Sequence, residues 1–333
     1  MSALLAPGTV ARAARRRPRT VSTMDSVRTV RQLGAACHPE PTCAVTAVAA
    51  GLALSVGRGA AGAALVGLAV LTGQLSIGWM NDYLDRDRDL RSDRPDKPIA
   101  KGRLPAGTVR AAMAVACVAV TPLSLLSGWI AGALHLVAVG SGWLYNLRLK
   151  STSLSVLPYI VSFGLLPAFV TAGLSGHPVV GWLVAAGALL GSGAHFVNVL
   201  PDLADDLQTG IRGLPHRIGP RASRYAAAGL LLAASAVLAL GPPGAPGPLA
   251  VACLLVASIA AASVLGATPR LIHRQPNGDD VRHDERAADR GWNDPQRDDA
   301  VPADRTSRGA FRAVLIVATV DVLLLLTSGH TIH

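Results

Sequence analysis

Long blocks of aliphatic residues without any charge are the feature that most restricts how this chain can fold. One of them, GAALVGLAVLTGQLSIGWM at 62–80, has the length of a membrane-spanning helix, which needs about 20 apolar residues. Half of all residues are hydrophobic and only 16% are charged, whereas about a quarter are charged in a soluble domain. The sequence therefore predicts an all-α, polytopic membrane protein.

About nine transmembrane helices are expected in this chain. Their connections alternate between long charged segments and short neutral turns, such as GPPGAPG at 241–247 and SGHP at 175–178. The expected spans are 42–57, 61–80, 108–126, 128–145, 154–174, 178–198, 224–241, 247–267 and 310–328.

The distribution of basic residues predicts the orientation in the membrane. Of 31 Lys and Arg residues, only Arg58 falls on the side of the short turns. Because an excess of Lys and Arg marks the cytoplasmic side, we expect a cytoplasmic N-terminus in a bacterial-type cell membrane. The net charge of +10 follows from these loops. No nucleic-acid recognition pattern accompanies it, so nucleic acid is not an expected partner.

Composition divides the chain into a tail and a membrane domain. Residues 1–40 contain RAARRRPRT and few acids, which predicts a disordered basic tail at the cytoplasmic membrane surface. Residues 41–328 form the expected membrane domain. Within it, 268–308 is rich in Arg and Asp and predicts a disordered polar loop on the cytoplasmic side.

An aspartate cluster follows the second span directly. It reads Asn81-Asp82-x-x-Asp85-x-x-x-Asp89. If the helix continues through it, Asp82, Asp85 and Asp89 lie within about 60° on one face, and Asp87 points away. The pattern indicates a column of oxygen ligands at the end of a helix.

A second cluster follows the sixth span in the same way. It reads Asn198-x-x-x-Asp202-x-x-Asp205-Asp206. With a continuous helix, His195 would share one stripe with Asn198, Asp202 and Asp206, although Pro201 can bend that helix. Both clusters lie on the predicted cytoplasmic side, so we expect them to face one another.

The two clusters together predict a magnesium and phosphate site. Carboxylates near lipid are costly and are usually functional. Oxygen ligands without Cys or paired His suit Mg²⁺, which binds through a few carboxylates together with substrate phosphates. No GxxxxGK[ST] loop accompanies them, so a nucleotide is not indicated. Basic side chains that could neutralise the remaining phosphate charge lie nearby in the sequence: Arg88, Arg94, Lys97, Lys101, Lys150 and Arg212.

Three motifs resemble one known family. NDYLDRDRDLRSDRPDKPIAKGRL at 81–104 is similar to the first signature of the UbiA-type intramembrane prenyltransferases. NVLPDLADDLQTGIRGLPHRIG at 198–219 resembles their second signature, and YNLRLKST at 145–152 resembles their Tyr/Lys element. The resemblance covers nearly everything from about residue 27 to 328.

The resemblance implies a division of roles among the site residues. Asp82, Asp85 and Asp89, with Asn81, would bind one Mg²⁺, and Asp202 and Asp206, with Asn198, a second. A prenyl diphosphate donor would bind these ions and the side chains of Arg94, Lys97, Lys150 and Arg212. The prenyl group would pass to a small-molecule or lipid acceptor within the membrane, and a carboxylate or Tyr145 would take the released proton.

The sequence leaves several alternatives open. A terpene cyclase of the same superfamily would use the same clusters, and a transporter would use the carboxylates as ion ligands. Asp205 and Asp206 compete for one ligand position. His195 and Asp321 are each compatible with a functional role or with a packed, hydrogen-bonded side chain. Neither the acceptor nor the length of the prenyl chain can be read from the residues.

Overall fold

The computed structural model describes residues 23–91, 97–174, 179–266 and 305–328, and the regular structure of these ranges is entirely helical. A π-helical turn covers Tyr145–Leu149, and a 3₁₀ turn covers Leu200–Asp202. The helices are α1 (Thr23–Ala36), α2 (Pro39–Ser55), α3 (Gly59–Arg91), α4 (Ala106–Leu125), α5 (Trp129–Leu144), α6 (Leu157–Ala172), α7 (Gly181–Val199), α8 (Leu203–Gln208), α9 (Leu214–Leu240), α10 (Pro248–Gly266) and α11 (Arg305–Ser328).

The prediction of a helical membrane protein is confirmed. Within the described ranges, five helical segments are long and apolar enough to cross a membrane: Gly59–Arg91, Ala106–Leu125, Trp129–Leu149, Gly181–Asp202 and Leu214–Leu240. Shorter apolar helical stretches lie at Leu157–Ala172, Pro248–Val264 and Ile316–Thr327. Each apolar segment predicted from the sequence coincides with one of the helices α2–α7 and α9–α11.

The helices form a closed bundle. From α2 to α7 each helix packs against the next along the chain, α9 packs against α7, α10 against α9, and α11 against α10. Helix α11 also contacts α2, so the last helix closes the bundle against the first of its members. Small residues such as Ala49, Ala53 and Ala186 are fully buried and allow this close approach of the backbones.

Helix α1 corrects the prediction for the N-terminal segment. The basic residues there predicted a disordered tail as far as residue 40, whereas Thr23–Ala36 is helical. Tertiary contacts explain the difference. The indole Nε1 of Trp79 donates to the carbonyl of Leu33 at 2.9 Å, and Ala36 is buried in a small core with Leu104 and Val109. Residues 1–22, and 268–304 of the predicted polar loop, lie outside the described ranges.

A contact between the α2–α3 turn and α6 identifies which helix ends lie together. Arg58, in the turn between α2 and α3, donates from Nη1 to the carbonyl of Val170 near the end of α6 at 3.2 Å. The C-terminal ends of α3, α5 and α7 lie at the opposite end of the bundle, because consecutive helices run antiparallel. Both aspartate clusters are at that end.

Asp321 is a buried carboxyl away from both clusters. It is fully buried in α11 and accepts a hydrogen bond from the hydroxyl of Ser235 in α9. The interaction connects two helices of the bundle, which corresponds to the packed, hydrogen-bonded alternative for this residue.

Candidate active site

The first aspartate cluster lies on the last turns of α3. The helix continues to Arg91, as predicted, so the aspartates keep their helical spacing. Asp82 is 1% and Asp89 2% exposed, whereas the side chain of Asp87 is 78% exposed. The predicted division between an inward column and an outward Asp87 is therefore confirmed.

Asp85 is paired with two cations. Its Oδ2 accepts hydrogen bonds from Lys150 Nζ, which comes from the far end of α5, and from Arg88 at 2.8 Å. Arg88 also approaches Asp89 Oδ1 at 3.7 Å. Two cations therefore share one carboxylate, and the pairing joins α3 to the segment after α5.

Asp82 has a different and less satisfied environment. Lys97 Nζ lies 3.4 Å from Asp82 Oδ1, and Lys97 itself is only 7% exposed. Neither carboxylate oxygen of Asp82 has a hydrogen-bond partner within the described structure. A buried charge normally requires both pairing and hydrogen bonds. Asp82 and Lys97 are thus an incompletely satisfied ion pair at the centre of the cluster.

Lys150 is delivered to the site by the π-helical turn. Its backbone N–H donates to the carbonyl of Tyr145 at 2.9 Å, five residues earlier, as in a π-helix. Burial lowers the pKa of Lys150 below its ordinary value, and the carboxylates of Asp85 and Asp206 oppose that shift. The ammonium is thus held between the two clusters.

The second cluster is not a continuous α-helical stripe. Helix α7 ends at Val199, and a 3₁₀ turn precedes the short helix α8. The reason is Pro201, which has no N–H to donate and cannot continue the α-helical pattern. His195 is buried, Asn198 and Asp205 are exposed, and Asp202 and Asp206 are partly buried. The prediction of a single helical column through these residues was wrong.

The two clusters nevertheless meet around Tyr145 and Lys150. The carboxylates of Asp85 and Asp206 both interact electrostatically with Tyr145 and with Lys150. The ring of Tyr145 meets that of Tyr159 edge to face at 5.4 Å between centroids. The Tyr159 side chain in turn interacts with Asn198, at the end of α7. Residues from α3, α5, α6 and α7 therefore converge on one place.

His195 contacts a serine hydroxyl in this arrangement. Its Nε2 lies 3.0 Å from the hydroxyl of Ser155, and that hydroxyl accepts the N–H of Leu214 at 2.8 Å. Close approach at Gly213 makes this possible, because a β-carbon there would lie 2.7 Å from the carbonyl oxygen of Lys150. His195 thus joins the Lys150 segment to the start of α9.

Arg212 lies beside the second cluster, on its exposed side. A cavity of about 280 Å³ is lined by Leu207, Arg212, His216 and Arg217. His216 Nε2 lies 3.3 Å from Asp206 Oδ2, and its side chain is buried. The structure therefore adds His216 to the second cluster. Arg94 lies outside the described residues, and Lys101 is exposed.

A polar chain beside the first cluster was also missed from the sequence. Asn146 Nδ2 donates to the carbonyl of Ile77 at 2.9 Å, and Asn81 Nδ2 donates to Asn146 Oδ1 at 3.2 Å. His38 Nε2 lies 3.1 Å from Asn81 Oδ1 and 3.2 Å from Lys97 Nζ. His38 stands 43 residues before Asn81, so no local pattern could have associated the two.

The carboxylates fit Mg²⁺ only in the presence of further oxygen ligands. Among the described residues, no three His, Cys, Asp or Glu side chains converge closely enough to hold a metal by themselves. Mg²⁺ keeps several waters and commonly binds through one or two carboxylates and substrate phosphates. The unpartnered oxygens of Asp82 suit such a partial ligand set.

The structure is a helical bundle of membrane-spanning character with two aspartate clusters at one end, and sequence comparison identifies its family. Residues 41–280 match the model of the UbiA prenyltransferase family. The chain therefore belongs to the UbiA prenyltransferase family.

Two curated relatives share part of this sequence. The chain is 33% identical to the digeranylgeranylglyceryl phosphate synthase of Natronomonas pharaonis over 159 residues, which is 46% of this chain and 56% of the relative. It is 32% identical to the bacteriochlorophyll synthase 33 kDa chain of Cereibacter sphaeroides over 218 residues, 59% of this chain and 69% of that one. The alignment thus spans little more than half the length of the archaeal relative.

Solved structures share the fold at low sequence identity. A UbiA homolog from Archaeoglobus fulgidus, bound to GPP and Mg²⁺, superimposes with a TM-score of 0.57 at 14% identity, covering 89% of this chain and 99% of that one. An apo UbiA homolog from Aeropyrum pernix K1 gives a TM-score of 0.54 at 17% identity, with 85% and 98% covered.

Proposed function

We propose that this protein catalyses the Mg²⁺-dependent transfer of a prenyl group from an isoprenoid diphosphate to an aromatic or lipid acceptor within the membrane. The observation that carries the proposal is the incompletely satisfied pair of Asp82 and Lys97. A buried carboxylate lacking hydrogen bonds attracts a cation, and a buried ammonium whose carboxylate partner is poorly aligned attracts an anion. A magnesium diphosphate supplies both charges at once.

The aspartates divide into two ligand sets in this proposal. Asp82, Asp85 and Asp89 would hold one Mg²⁺, and Asp202 and Asp206 would hold the other, with Asn81 and Asn198 at the edges of the two sets. Mg²⁺ at these positions would supply positive charge for the departing diphosphate. The relatives bound to GPP, DMAPP and Mg²⁺ support this assignment by their shared fold.

The basic residues bind the remaining phosphate oxygens. Lys150 is held on Asp85 in the structure and exchanges this carboxylate for a phosphate oxygen when the donor binds. Lys97 turns from Asp82 towards the same anion. Arg212 and Arg94 contribute from the exposed side, where Arg212 lines the cavity next to His216.

Departure of the diphosphate leaves a reactive allylic carbon that must be kept from water. The aliphatic interior of the bundle provides that environment, because it excludes solvent around the donor tail. The acceptor attacks the carbon from within the bundle. A carboxylate of the two clusters takes the proton that the acceptor releases, either directly or through Tyr145, whose hydroxyl then passes its own proton to that carboxylate as it receives the new one.

The complete topology belongs to the same proposal. Helices α2–α7 and α9–α11 make nine spans, and the N-terminus lies in the cytoplasm. The site then faces the cytoplasm of a bacterial-type cell. Arg58, on the opposite side, is held by the carbonyl of Val170 rather than by the site. The Lys/Arg asymmetry between the two sides supports this orientation.

A reconstituted assay tests the function. Purified protein is supplied with prenyl diphosphates of increasing length, Mg²⁺ and a panel of aromatic and lipid acceptors, and both diphosphate and prenylated product are measured. We expect release of diphosphate only with Mg²⁺ and a prenylated acceptor as product. A cyclic hydrocarbon formed without acceptor would identify a cyclase. Ion flux into liposomes without any turnover would identify a transporter.

A further inference from the structure

A second, smaller cavity lies in the interior of the bundle, between α2, α3, α5 and α6. Its volume is about 30 Å³, and most of the side chains that line it are aliphatic or aromatic. The polar side chains of its lining are Gln74, His135 and Ser162. None of the described residues that line it is charged, so the cavity suits an uncharged group, because an unpaired charge there would be costly.

Gln74 brings an unsatisfied amide to this cavity. It lies within α3, in a segment long and apolar enough to cross a membrane, and its side chain has no hydrogen-bond partner among the described residues. Ser162 is different, since its hydroxyl donates to the carbonyl of Ala138 at 2.8 Å. An amide without a partner is costly in a membrane interior, and it can both donate and accept. Gln74 can therefore bind a hydroxyl or a carbonyl oxygen.

His135 offers a second hydrogen bond in the cavity. Its Nδ1 lies 2.7 Å from Ser124 Oγ, and its ring stacks on that of Phe169 with 4.5 Å between centroids. These contacts fix the ring, and Nε2 then lies towards α3, where a β-carbon on Gly73 would be 3.6 Å from it. No described residue forms a hydrogen bond with this nitrogen. It donates in one tautomer and accepts in the other, as a ligand requires.

Two alignments connect the cavity with the end of the bundle that holds the aspartates. On α3, Gln74 and Asn81 are seven residues apart, which places them about 10 Å apart along the axis and within about 20° of the same direction. On α6, the ring of Phe163 lines the cavity and is nearly parallel to that of Tyr159 at 6.1 Å. Tyr159 in turn meets Tyr145 edge to face. This aromatic row leads from the cavity to the place where the two clusters meet.

We propose that Gln74 and His135 bind an uncharged hydroxyl or carbonyl oxygen of the acceptor. The cavity has room for one such group, and the rest of the acceptor extends towards Tyr145, where its nucleophilic carbon meets the donor. The distance of about 10 Å between Gln74 and Asn81 requires a compact acceptor, and the aromatic row favours a flat ring. The assignment rests on the proposed prenyl transfer and narrows its acceptor to an oxygenated ring that carries no charge at its inner end.

Three ligands that differ in one substituent test the oxygen site. These are para-ethylphenol, with a hydroxyl, para-ethyltoluene, with a methyl group, and para-ethylbenzoate, with a carboxylate. Equilibrium dialysis of the purified protein with Mg²⁺ and inorganic diphosphate gives their dissociation constants, corrected for partition into protein-free micelles. We expect para-ethylphenol to bind about tenfold more tightly than para-ethyltoluene, which is roughly the effect of one or two hydrogen bonds. The carboxylate should bind most weakly.

Two substitutions remove the hydrogen bonds while keeping the shapes of the side chains. Gln74→Met has a similar length and no amide, and His135→Phe keeps a ring to stack on Phe169. Each should weaken the binding of para-ethylphenol about tenfold and leave that of para-ethyltoluene within about twofold. Thr72→Val is the matched control on α3, because the Thr72 hydroxyl donates to the carbonyl of Leu68 at 2.7 Å and does not line the cavity. It should bind both ligands as the wild type does.

The outcomes separate the oxygen site from the function on which it rests. If the wild type does not prefer para-ethylphenol, or prefers the carboxylate, the oxygen site is overturned. Equal losses of para-ethylphenol and para-ethyltoluene in Gln74→Met would overturn it as well, because they would show a packing role only. These measurements involve no turnover, so absence of diphosphate release by the wild type would remove prenyl transfer independently of them. With an active enzyme, Gln74→Met should raise the KM of the acceptor and leave that of the donor unchanged.

Discussion

A buried carboxylate without hydrogen-bond partners reduces the stability of the protein that carries it, and Asp82 is such a residue. Its partner Lys97 is buried as well, and the distance of 3.4 Å between them gives a poorly aligned pair. Sites of this kind are maintained for function at the expense of stability. Substitutions of Asp82 and Lys97 can therefore separate the effect of this pair on stability from its effect on activity.

Apolar replacement of both partners should stabilise the protein. Asp82→Leu alone leaves Lys97 uncompensated and should lower the free energy of unfolding by about 3–5 kcal/mol. The double variant Asp82→Leu/Lys97→Met removes both charges and should exceed wild type by about 1–4 kcal/mol. Unfolding in detergent measures this order, and prenyl transfer should be absent from both variants. A double variant less stable than Asp82→Leu would contradict the interpretation.

Two neighbouring aspartates on α3 form a matched pair for activity. Asp85→Asn weakens a ligand of the proposed metal and should lower kcat/KM by about a hundredfold or more. Asp87→Asn changes the same charge two residues later, on a side chain that is 78% exposed, and should leave the rate within about twofold. Steady-state kinetics at saturating Mg²⁺ compares them. Equal losses would mean that net charge, rather than the inward column, determines turnover.

The orientation of individual side chains could be predicted from the sequence only where helical periodicity determines which way they point. Asp82, Asp85 and Asp89 share a face because α3 stays helical, and Asp87 points outward for the same reason. His38, Asn146 and His216 were missed because each reaches the site through tertiary packing. A histidine before a span has no periodic relation to an asparagine 43 residues later.

At the scale of elements, the contact between α3 and the α1–α2 junction carries the N-terminal part of the site. Gly78 lies where the backbone of Cys37 approaches α3, and a side chain there has no space. Sequence composition gave no sign of this contact, since Gly residues are frequent throughout the chain. The contact also explains why α1 is ordered where a disordered tail was predicted.

Enlarging Gly78 should displace this junction. Gly78→Val should lower stability by about 1–3 kcal/mol through overpacking and should weaken diphosphate binding, because His38 moves with Cys37. Gly140→Ala in α5 is the matched control, since a β-carbon there meets nothing within 4 Å. It should fold with at least wild-type stability, as Ala is the better helix former. Melting temperature and diphosphate titration report the two effects, and normal binding by Gly78→Val would exclude the displacement.

The second cluster shows where helical reasoning fails. A continuous helix was expected to align His195, Asn198, Asp202 and Asp206, but Pro201 ends the α-helical pattern and α8 begins anew. The position of α8 then depends on tertiary contacts such as that between Asp206 and His216. The spacing of residues along the chain does not reveal such contacts. The sequence therefore identified the aspartates of this cluster but did not predict their arrangement in space.

At the scale of the whole molecule, the proposed orientation rests on the asymmetric distribution of Lys and Arg in the sequence. Of 31 Lys and Arg residues, only Arg58 falls in the segments assigned to the other side, and translocating the rest would be costly. Fold class followed from the apolar blocks alone, because every backbone group in lipid must be satisfied within a helix or barrel. The identity of the acceptor could not be predicted from the sequence, because it depends on how side chains pack in the interior of the bundle.

Chemical labelling in intact bacterial cells tests the orientation. In a variant without native cysteines, Lys101→Cys lies on the exposed loop before α4, and Gly244→Cys on the turn between α9 and α10. A membrane-impermeant maleimide should label Gly244→Cys in intact cells, and Lys101→Cys only after permeabilisation. The reverse pattern would place the site outside the cell.

The π-helical turn at Tyr145–Leu149 has a consequence for how the site can change during evolution. Such a turn contains one residue more than an α-helical turn, so everything after it is rotated by about 100°. Loss of a single residue there would leave every hydrophobic segment intact but would rotate Lys150 away from Asp85. The turn therefore sets the direction in which Lys150 points. A one-residue deletion in it could inactivate the enzyme, while the protein would still insert into the membrane and fold.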